Sequence, residues 1–197
     1  FGDGEKVAKD LGHEFSVGTA YSDADLLSCT EREELVAQVD RDLGGSVDIL
    51  VNNAGMQHVA PAVQFDLETF EKVIALNLTA GFHLSQLTLT SMISKGFGRI
   101  IFVASAHGKV ASWGKSAYVA SKHGVVGLTK TIALETAREK NVTCNSICPG
   151  WVLTPLVEEQ VRARMAETGN SFDEESRLLL REKQPSEEFV LPEHLAL

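Results

Sequence analysis

A short apolar run, Ile100 to Ala104, limits most strongly how this chain can fold. Its length and its content of β-branched residues are typical of a strand buried inside a parallel sheet rather than of a helix. A loop that contains glycine and then a helical stretch from about Ser116 follow the run. Parallel strands need such crossover helices, so the run predicts an α/β fold in which Ser105 lies at the carboxyl end of a strand.

The rest of the chain alternates in the same way between helical and strand patterns. In chain order we expect the end of a helix at 5–11, a strand at 13–19, a helix at 32–43, a buried strand from 48, helical spacing over 65–95, a helix from 116, a strand at 141–147 and helical sequence over 155–181. This order predicts a doubly wound, Rossmann-like parallel sheet with helices on both faces, in a single domain.

Composition narrows the choice of partner and compartment. The net charge of −9, with no block rich in Lys and Arg, argues against nucleic acid and anionic membranes as partners. No apolar run approaches the ~20 residues that cross a bilayer. The cysteines are odd in number, and two on one strand, Cys144 and Cys148, would lie about 13 Å apart, so we expect reduced thiols in a cytoplasmic protein. No paired Cys or His spacing indicates a metal site.

Tyr118 and Lys122 are four residues apart in the helix that follows Ser105, so their side chains share a face. A tyrosine has a pKa of about 10, and a neighbouring ammonium lowers this pKa because it favours the phenolate. The Ser105 hydroxyl would then hold a substrate oxygen against Tyr118 during proton transfer. Such Tyr and Lys pairs are also common on exposed helix faces, so it is the serine thirteen residues before Tyr118 that favours a catalytic site.

A second strand end carries small and amide side chains. The strand that begins at Asp48 runs into Asn52-Asn53-Ala54-Gly55, where the backbone must turn sharply or approach another group closely. In an open α/β sheet, ligands bind beyond the carboxyl ends of the strands. We therefore expect this segment and Ser105 to face the same sheet edge.

Several motifs follow one another along the chain: NNAG after a strand, then Asn77, Ser105, Tyr118, Lys122 and the turn Cys148-Pro-Gly150. Their order and spacing resemble those of the short-chain dehydrogenase/reductase family over almost the whole chain. The resemblance implies an NAD-dependent dehydrogenase in which Asn77, Ser105, Tyr118 and Lys122 are catalytic. It also implies a set of cofactor-binding residues: Asp25, Leu26, Asn53, Ala54, Gly55, Tyr118, Lys122, Pro149, Gly150, Trp151, Val152 and Thr154. Taken alone, Asp25 is an equally good cap for a loop or helix, and Asn77 an equally good solvent-facing or helix-bending amide.

The family's glycine-rich phosphate-binding turn does not occur in this sequence, and the resemblance places Phe1 just after the family's second strand. We therefore expect a partial Rossmann-like domain over 1–197 that lacks the first β-α unit and the last strand. Residues 155–185 follow the Pro-Gly turn and are expected to form a helical lid that closes over substrate.

Within the family, the segments NNAGMQH, RIIFVASAHGKVAS, KSAYVASKHGVVGLTK, SICPGWVLTPLVEEQ and EKQPSEEFV resemble the bacterial-type branch that interconverts (R)-3-hydroxybutyrate and acetoacetate. This resemblance implies that Gln57, His107 and Lys115 hold the carboxylate of a small acid, while Gln160 and Trp151 close the pocket. It also implies a homotetramer that takes part in ketone body metabolism. Amide, imidazole and ammonium donors around a reaction centre suit such a carboxylate.

Three questions stay open at this point. The absence of an arginine near residues 1–4 favours NAD over NADP, because an arginine would meet the 2′-phosphate of NADP. A reductase of 3-oxoacyl thioesters would share the four catalytic residues, although it would want an open groove and a basic surface. A non-catalytic assembly domain without cofactor would account for the missing glycine turn.

Overall fold

The computed structural model describes residues 3–181 and 184–195, and only the backbone of Leu156. It divides the chain into two compact units, residues 1–147 and residues 148–197. A single domain over 1–197 stays a prediction. Residues 182 and 183, in the segment predicted as a lid, lie outside the described residues.

The first unit contains a parallel sheet flanked by helices, which confirms the predicted α/β fold. Within the described residues the strands are β1 (Ile49–Asn52), β2 (Gly98–Val103) and β3 (Val142–Ile147), hydrogen-bonded in the order β1-β2-β3. Val51 pairs with Ile101 and Phe102 pairs with Ser146. β2 is central, and its residues Ile100 and Phe102 are each only 1% exposed, as the run of apolar residues predicts.

The helices of the first unit follow the predicted periodicity closely. They are α1 (Gly4–Phe15), α2 (Cys29–Asp42), α3 (Leu67–Ile74), α4 (Ala80–Lys95) and α5 (Ser116–Glu135). A π-helical turn, Ala75–Thr79, joins α3 to α4, and a short 3-10 turn, Ala106–Gly108, follows β2. Asp66 caps α3 as expected, since its carboxylate accepts from the backbone N–H of Thr69 at 2.8 Å.

The predicted strand at 13–19 does not form. Residues 13 to 15 complete α1, which ends with Ser16 in the left-handed region, and the chain then runs without regular structure to residue 25. A strand needs a neighbouring strand for its backbone N–H and C=O groups. The described residues offer no such neighbour to this segment, and Val17 is 57% exposed.

The strand β1 is also less buried than its apolar sequence predicts. Leu50 and Asn52 face α4, where the Asn52 amide donates to the Ser85 hydroxyl at 3.3 Å. The alternate residues, Ile49 and Val51, point to the other face and are 56% and 54% exposed. In the described sheet β1 pairs with β2 alone, so it is an edge strand, and helices cover only one of its faces.

The second unit is helical, as predicted for residues 155–181. It contains α6 (Pro155–Thr168) and α7 (Phe172–Arg181), and Val152 forms an isolated parallel bridge with Val190. The carboxylate of Glu175 joins the two helices, because it accepts hydrogen bonds from Thr168, Asn170 and Arg164 at 2.7–2.9 Å. These bonds hold the pKa of this fully buried carboxyl below its usual range. Among the described helices of the chain, none combines the length and the apolar character needed to cross a bilayer.

Candidate active site

The ring of Tyr118 lies at the centre of the groups predicted to take part in catalysis. On α5, the Lys122 ammonium is 5.6 Å from the centroid of this ring, and the ammonium of Lys115, just before α5, is 6.0 Å from it. The imidazole of His107 meets the same ring edge-on, with 5.7 Å between centroids. The four-residue spacing on one helix face therefore brings a phenol and an ammonium together, as the sequence predicts.

The pKa of Tyr118 moves in the direction opposite to the one expected. Burial raises the pKa of this phenol above its ordinary value of 10.0, and a hydrogen bond with the Ser105 side chain opposes the rise. Burial dominates because the uncharged phenol needs less hydration than the phenolate. Lys122 is itself buried and donates to the carbonyl of Val103 at 2.8 Å. In this structure Tyr118 is therefore an acid that keeps its proton at neutral pH.

Ser105 stands at the carboxyl end of β2, as predicted, and is 9% exposed. Its hydroxyl accepts from the backbone N–H of His107 at 3.2 Å, which starts the turn Ala106–Gly108. The His107 ring returns towards the same hydroxyl, with Nδ1 3.4 Å from Oγ. The other ring nitrogen, Nε2, lies 2.7 Å from the hydroxyl of Ser112. The sequence identified Ser105 and His107 but gave no signal for Ser112.

Asn77 is buried in the π-helical turn and fastens the loop after β1 to the helices. Its Oδ1 accepts from the N–H of Met56 at 2.8 Å, while Nδ2 donates to the carbonyl of Met56 at 2.9 Å and to the hydroxyl of Ser121 at 3.0 Å. A π-helical turn inside an α-helix often marks a functional site. The side chain of Asn77 is therefore turned away from solvent and holds the loop in place, while its catalytic role stays a prediction.

Gly55 lies where a side chain would not fit comfortably. A Cβ at this position would be 3.3 Å from Oδ1 of Asn77 and 3.8 Å from Nζ of Lys122. The backbone at Gly55 therefore comes close to two polar side chains, and Gly55 itself is exposed. Gln57 follows two residues later in the same loop and is half-buried.

A cleft of about 50 Å³ lies between this loop and the helices. Among the residues that line it are five predicted to bind cofactor or take part in catalysis: Leu26, Asn53, Ala54, Asn77 and Lys122. The exposed backbone of Asn53 to Gly55, which carries small side chains after Asn53, leaves room for a flat ligand to lie against it. The cleft itself is far smaller than a nicotinamide dinucleotide, so contact of these residues with that cofactor stays a prediction.

Asp25 has the capping role that its sequence also allows. Its carboxylate accepts from the N–H of Leu27 at 2.9 Å and its carbonyl accepts from the N–H of Ser28 at 2.9 Å. The contact of Asp25 with a cofactor stays a prediction. The adjacent carbonyl of Leu26 accepts from the guanidinium of Arg32, a residue only 6% exposed.

Arg32 also connects this turn to α4, because its Nε donates to Nδ1 of His83 at 3.0 Å. Sequence reasoning missed this pair, since nothing in a charged helix indicates that one arginine is buried. Cys29, Glu33 and His83 place a thiol, a carboxylate and a ring nitrogen within 4.8 Å of one another. The Arg32 bond uses the lone pair of Nδ1 and leaves the proton of a neutral ring on Nε2, so the imidazole is not oriented as a metal ligand.

The remaining predicted site residues belong to the second unit. Gln184 accepts from the N–H of Trp151 at 2.9 Å, and a Cβ on Gly150 would lie 2.5 Å from the Gln184 side-chain oxygen. The indole of Trp151 packs on a cluster that includes Val157 and Val161. The other predicted residues lie before or on α6: Pro149, Val152 and Thr154 in the segment before α6, with Thr154 as its N-cap, and Gln160 on the helix, half-buried. Their approach to cofactor and substrate stays a prediction.

The comparisons with known proteins agree on one family. The sequence model of the short chain dehydrogenase family matches residues 2–165. D-beta-hydroxybutyrate dehydrogenase of Cupriavidus necator is 50% identical over 198 residues, which cover 99% of this chain and 75% of that relative. The enzyme of the same name from Rhizobium meliloti is 47% identical over 88% of this chain and 66% of its own length.

A solved structure agrees with the fold. The crystal structure of a variant of actinorhodin polyketide ketoreductase with NADPH matches this chain with a TM-score of 0.79 and 36% identity. The match covers 88% of this chain and 66% of that one. The chain thus spans about two thirds to three quarters of these relatives.

Proposed function

We propose, from the premise that this chain belongs to the short-chain dehydrogenase family, that it carries the reaction centre of an NAD-dependent enzyme that interconverts (R)-3-hydroxybutyrate and acetoacetate. The observation that carries the proposal is the arrangement around Tyr118. The half-buried phenol of Tyr118 lies beside Ser105, and the imidazole of His107 and the ammonium of Lys115 both approach its ring. A proton donor thus lies beside two groups that suit a small anion.

In the direction of reduction, Tyr118 would donate its proton to the ketone oxygen as that oxygen gains negative charge. The raised pKa of Tyr118 keeps the proton in place at neutral pH. The Ser105 hydroxyl would hold the same oxygen, since a hydrogen bond aimed at a developing oxyanion stabilises the transition state more than the substrate. In the direction of oxidation the proton returns to Tyr118. NADH, when bound, supplies the hydride, and NAD accepts it.

The substrate carboxylate would lie against Lys115 and His107. The Lys115 ammonium would form a charge-assisted hydrogen bond with the carboxylate, which is stronger than a bond between neutral groups, and the His107 ring would pack beside it. Gln57, in the loop fastened by Asn77, would add an amide donor. The similarity to two enzymes named D-beta-hydroxybutyrate dehydrogenase, at 50% and 47% identity, supports this choice of acid.

The cofactor would lie along the exposed loop after β1, beside the small cleft between that loop and the helices. Asn53, Ala54 and Gly55 would contact it through backbone, Leu26 through its side chain, and Lys122 through its ammonium. We propose NAD rather than NADP on the sequence argument given above. We also propose a homotetramer in the cytoplasm, on the resemblance stated there.

The test is a spectrophotometric assay of NADH with the protein that carries this sequence. We expect oxidation of NADH with acetoacetate, and reduction of NAD with (R)-3-hydroxybutyrate but not with its (S) enantiomer. Tyr118→Phe should reduce kcat at least 100-fold, while Tyr21→Phe, a matched change at the exposed second tyrosine, should leave it unchanged. Rapid reduction of an acetoacetyl thioester with no turnover of acetoacetate would favour the thioester reductase. No turnover of either, together with no NAD binding, would favour the non-catalytic domain.

Substrate contacts are tested by a second pair of variants. Lys115→Met should raise the KM for acetoacetate without a matching change in the KM for NADH, because only the acid would contact this ammonium. Lys109→Met, at an exposed lysine of the same loop, is the matched control. Equal effects of the two variants would contradict the role proposed for Lys115.

A further inference from the structure

We infer that Ser112 is a positioning residue: its hydroxyl sets the tautomer of His107 and, through that ring, the direction in which Ser105 donates its hydrogen. The catalytic consequence rests on the proposed function, whereas the hydrogen-bond arrangement itself does not. The inference starts from a chain of three side chains. The His107 ring lies between the hydroxyls of Ser112, 2.7 Å from Nε2, and Ser105, 3.4 Å from Nδ1.

A neutral imidazole has one nitrogen that donates and one that accepts, so two arrangements fit these distances. In the first, Ser112 donates to Nε2 and the N–H at Nδ1 points to Ser105. In the second, Nε2 donates to Ser112 and the Ser105 hydroxyl donates to Nδ1. Only the first leaves the hydrogen of Ser105 available for another acceptor.

One observation favours the first arrangement. The 2.7 Å between Ser112 and Nε2 matches a hydroxyl donor, since O–H donors most often approach to ~2.7–2.8 Å and N–H donors to ~2.9–3.0 Å.

The backbone completes the assignment for Ser105. Its oxygen already accepts from the N–H of His107 at 3.2 Å. If Nδ1–H is the second donor, both lone pairs of that oxygen are used and its hydrogen points away from the turn. That hydrogen is then directed to the side where Tyr118, and on the proposed function the substrate oxygen, lies. Ser112 thus acts on the reaction without touching the reacting atoms.

The experiment is ¹⁵N NMR of the histidine side chains, which distinguishes protonated from unprotonated ring nitrogens. His107→Gln assigns the His107 signals among the six histidines. At about pH 8, above the ordinary histidine pKa of about 6.5, we expect a proton on Nδ1 and none on Nε2 in the wild type. Ser112→Ala should move the proton to Nε2 or give a mixture, and Ser112→Thr should restore the wild-type pattern. Ser94→Ala, at an exposed serine of α4, should change nothing.

A proton on Nε2 in the wild type, or no change in Ser112→Ala, would overturn the inference. The kinetic consequence is a fall in kcat for Ser112→Ala of about 10- to 100-fold, smaller than the ~10²–10³-fold that follows direct loss of an oxyanion donor. The KM for NADH should stay unchanged, and Ser112→Thr should recover kcat. If the NMR result is as expected and the wild-type protein turns over no hydroxy acid, the proposed function fails and the positioning role stands.

Discussion

Asn77 connects the fold to the site through three hydrogen bonds, and its replacement gives a sharp prediction. In Asn77→Ala, the N–H and C=O of Met56 and the hydroxyl of Ser121 lose their partners on the π-helical turn. Ser121 is fully buried, and its hydroxyl keeps only its donation to the Tyr118 carbonyl among the bonds described. Each hydrogen bond contributes a net ~0.5–1.5 kcal/mol, and a buried group left unsatisfied costs ~1–3 kcal/mol.

We therefore expect Asn77→Ala to lower the free energy of unfolding by about 2–4 kcal/mol. For a chain of this length that corresponds to a fall in Tm of roughly 5–15 °C. The loop after β1 should loosen first, since Met56 loses both of its backbone partners on Asn77. On the proposed function, the KM for the acid should then rise, because Gln57 is carried by the same loop.

The assay is urea unfolding followed by circular dichroism, with the slope m compared between variants. An unchanged m with a lower midpoint reports lost stability rather than a changed native state. The matched control is Asn145→Ala, at an exposed position of β3, which should stay within about 0.5 kcal/mol of the wild type. If Asn77→Ala lowers the free energy of unfolding by less than about 1 kcal/mol, or by no more than the control does, the view that Asn77 fastens the loop after β1 to the helices is wrong.

Four more predictions concern titration and packing. In a pH titration of the cofactor-free protein followed by tyrosinate absorbance, Tyr118 should ionise with a midpoint above pH 10.0. This transition should be absent from Tyr118→Phe and present in Tyr21→Phe. A midpoint below 10.0 for Tyr118 would contradict the effect of burial. Gly108→Ala should cost about 1–3 kcal/mol in urea unfolding, because its Cβ would lie 2.9 Å from a backbone carbonyl oxygen of α5. A Cβ at Gly127, in α5, would have no atom within 4 Å. Gly127→Ala should therefore leave the free energy of unfolding unchanged or raise it by up to ~1 kcal/mol. Burial raises the pKa of the Cys144 thiol to about 11, so a thiol reagent at pH 8 should modify it only after unfolding.

The sequence predicted the elements that depend on local pattern. β2, β3 and the five helices of the first unit have apolar residues at the spacing of their own secondary structure, and caps such as Asp66 are chemically specific. The strand expected at 13–19 failed for a non-local reason. Its residues suit a strand, but a strand exists only beside another, and sequence spacing does not say which partner lies next to it.

The candidate site divides in the same way. Tyr118 and Lys122 come together because one helix turn fixes their spacing, and Ser105 reaches them because it ends the adjacent strand. Arg32 and His83 are 51 positions apart in sequence, and no local pattern indicates that they meet. Ser112 lies in a loop whose path determines its contact with His107, and loops have no periodicity from which such a path can be derived.

The pKa of Tyr118 shows why the chemistry of a group does not follow from its neighbours in sequence. The spacing correctly predicted a nearby cation, but the effect of a charge competes with the loss of water around the phenol, and only the fold determines how much water is lost. In this fold burial prevails and raises the pKa of Tyr118, so the phenol keeps its proton at neutral pH. On the proposed function, reduction of the ketone then needs no prior ionisation, whereas oxidation of the alcohol needs a phenolate. Oxidation should consequently gain rate as pH rises towards the pKa of Tyr118, over a range in which reduction gains nothing.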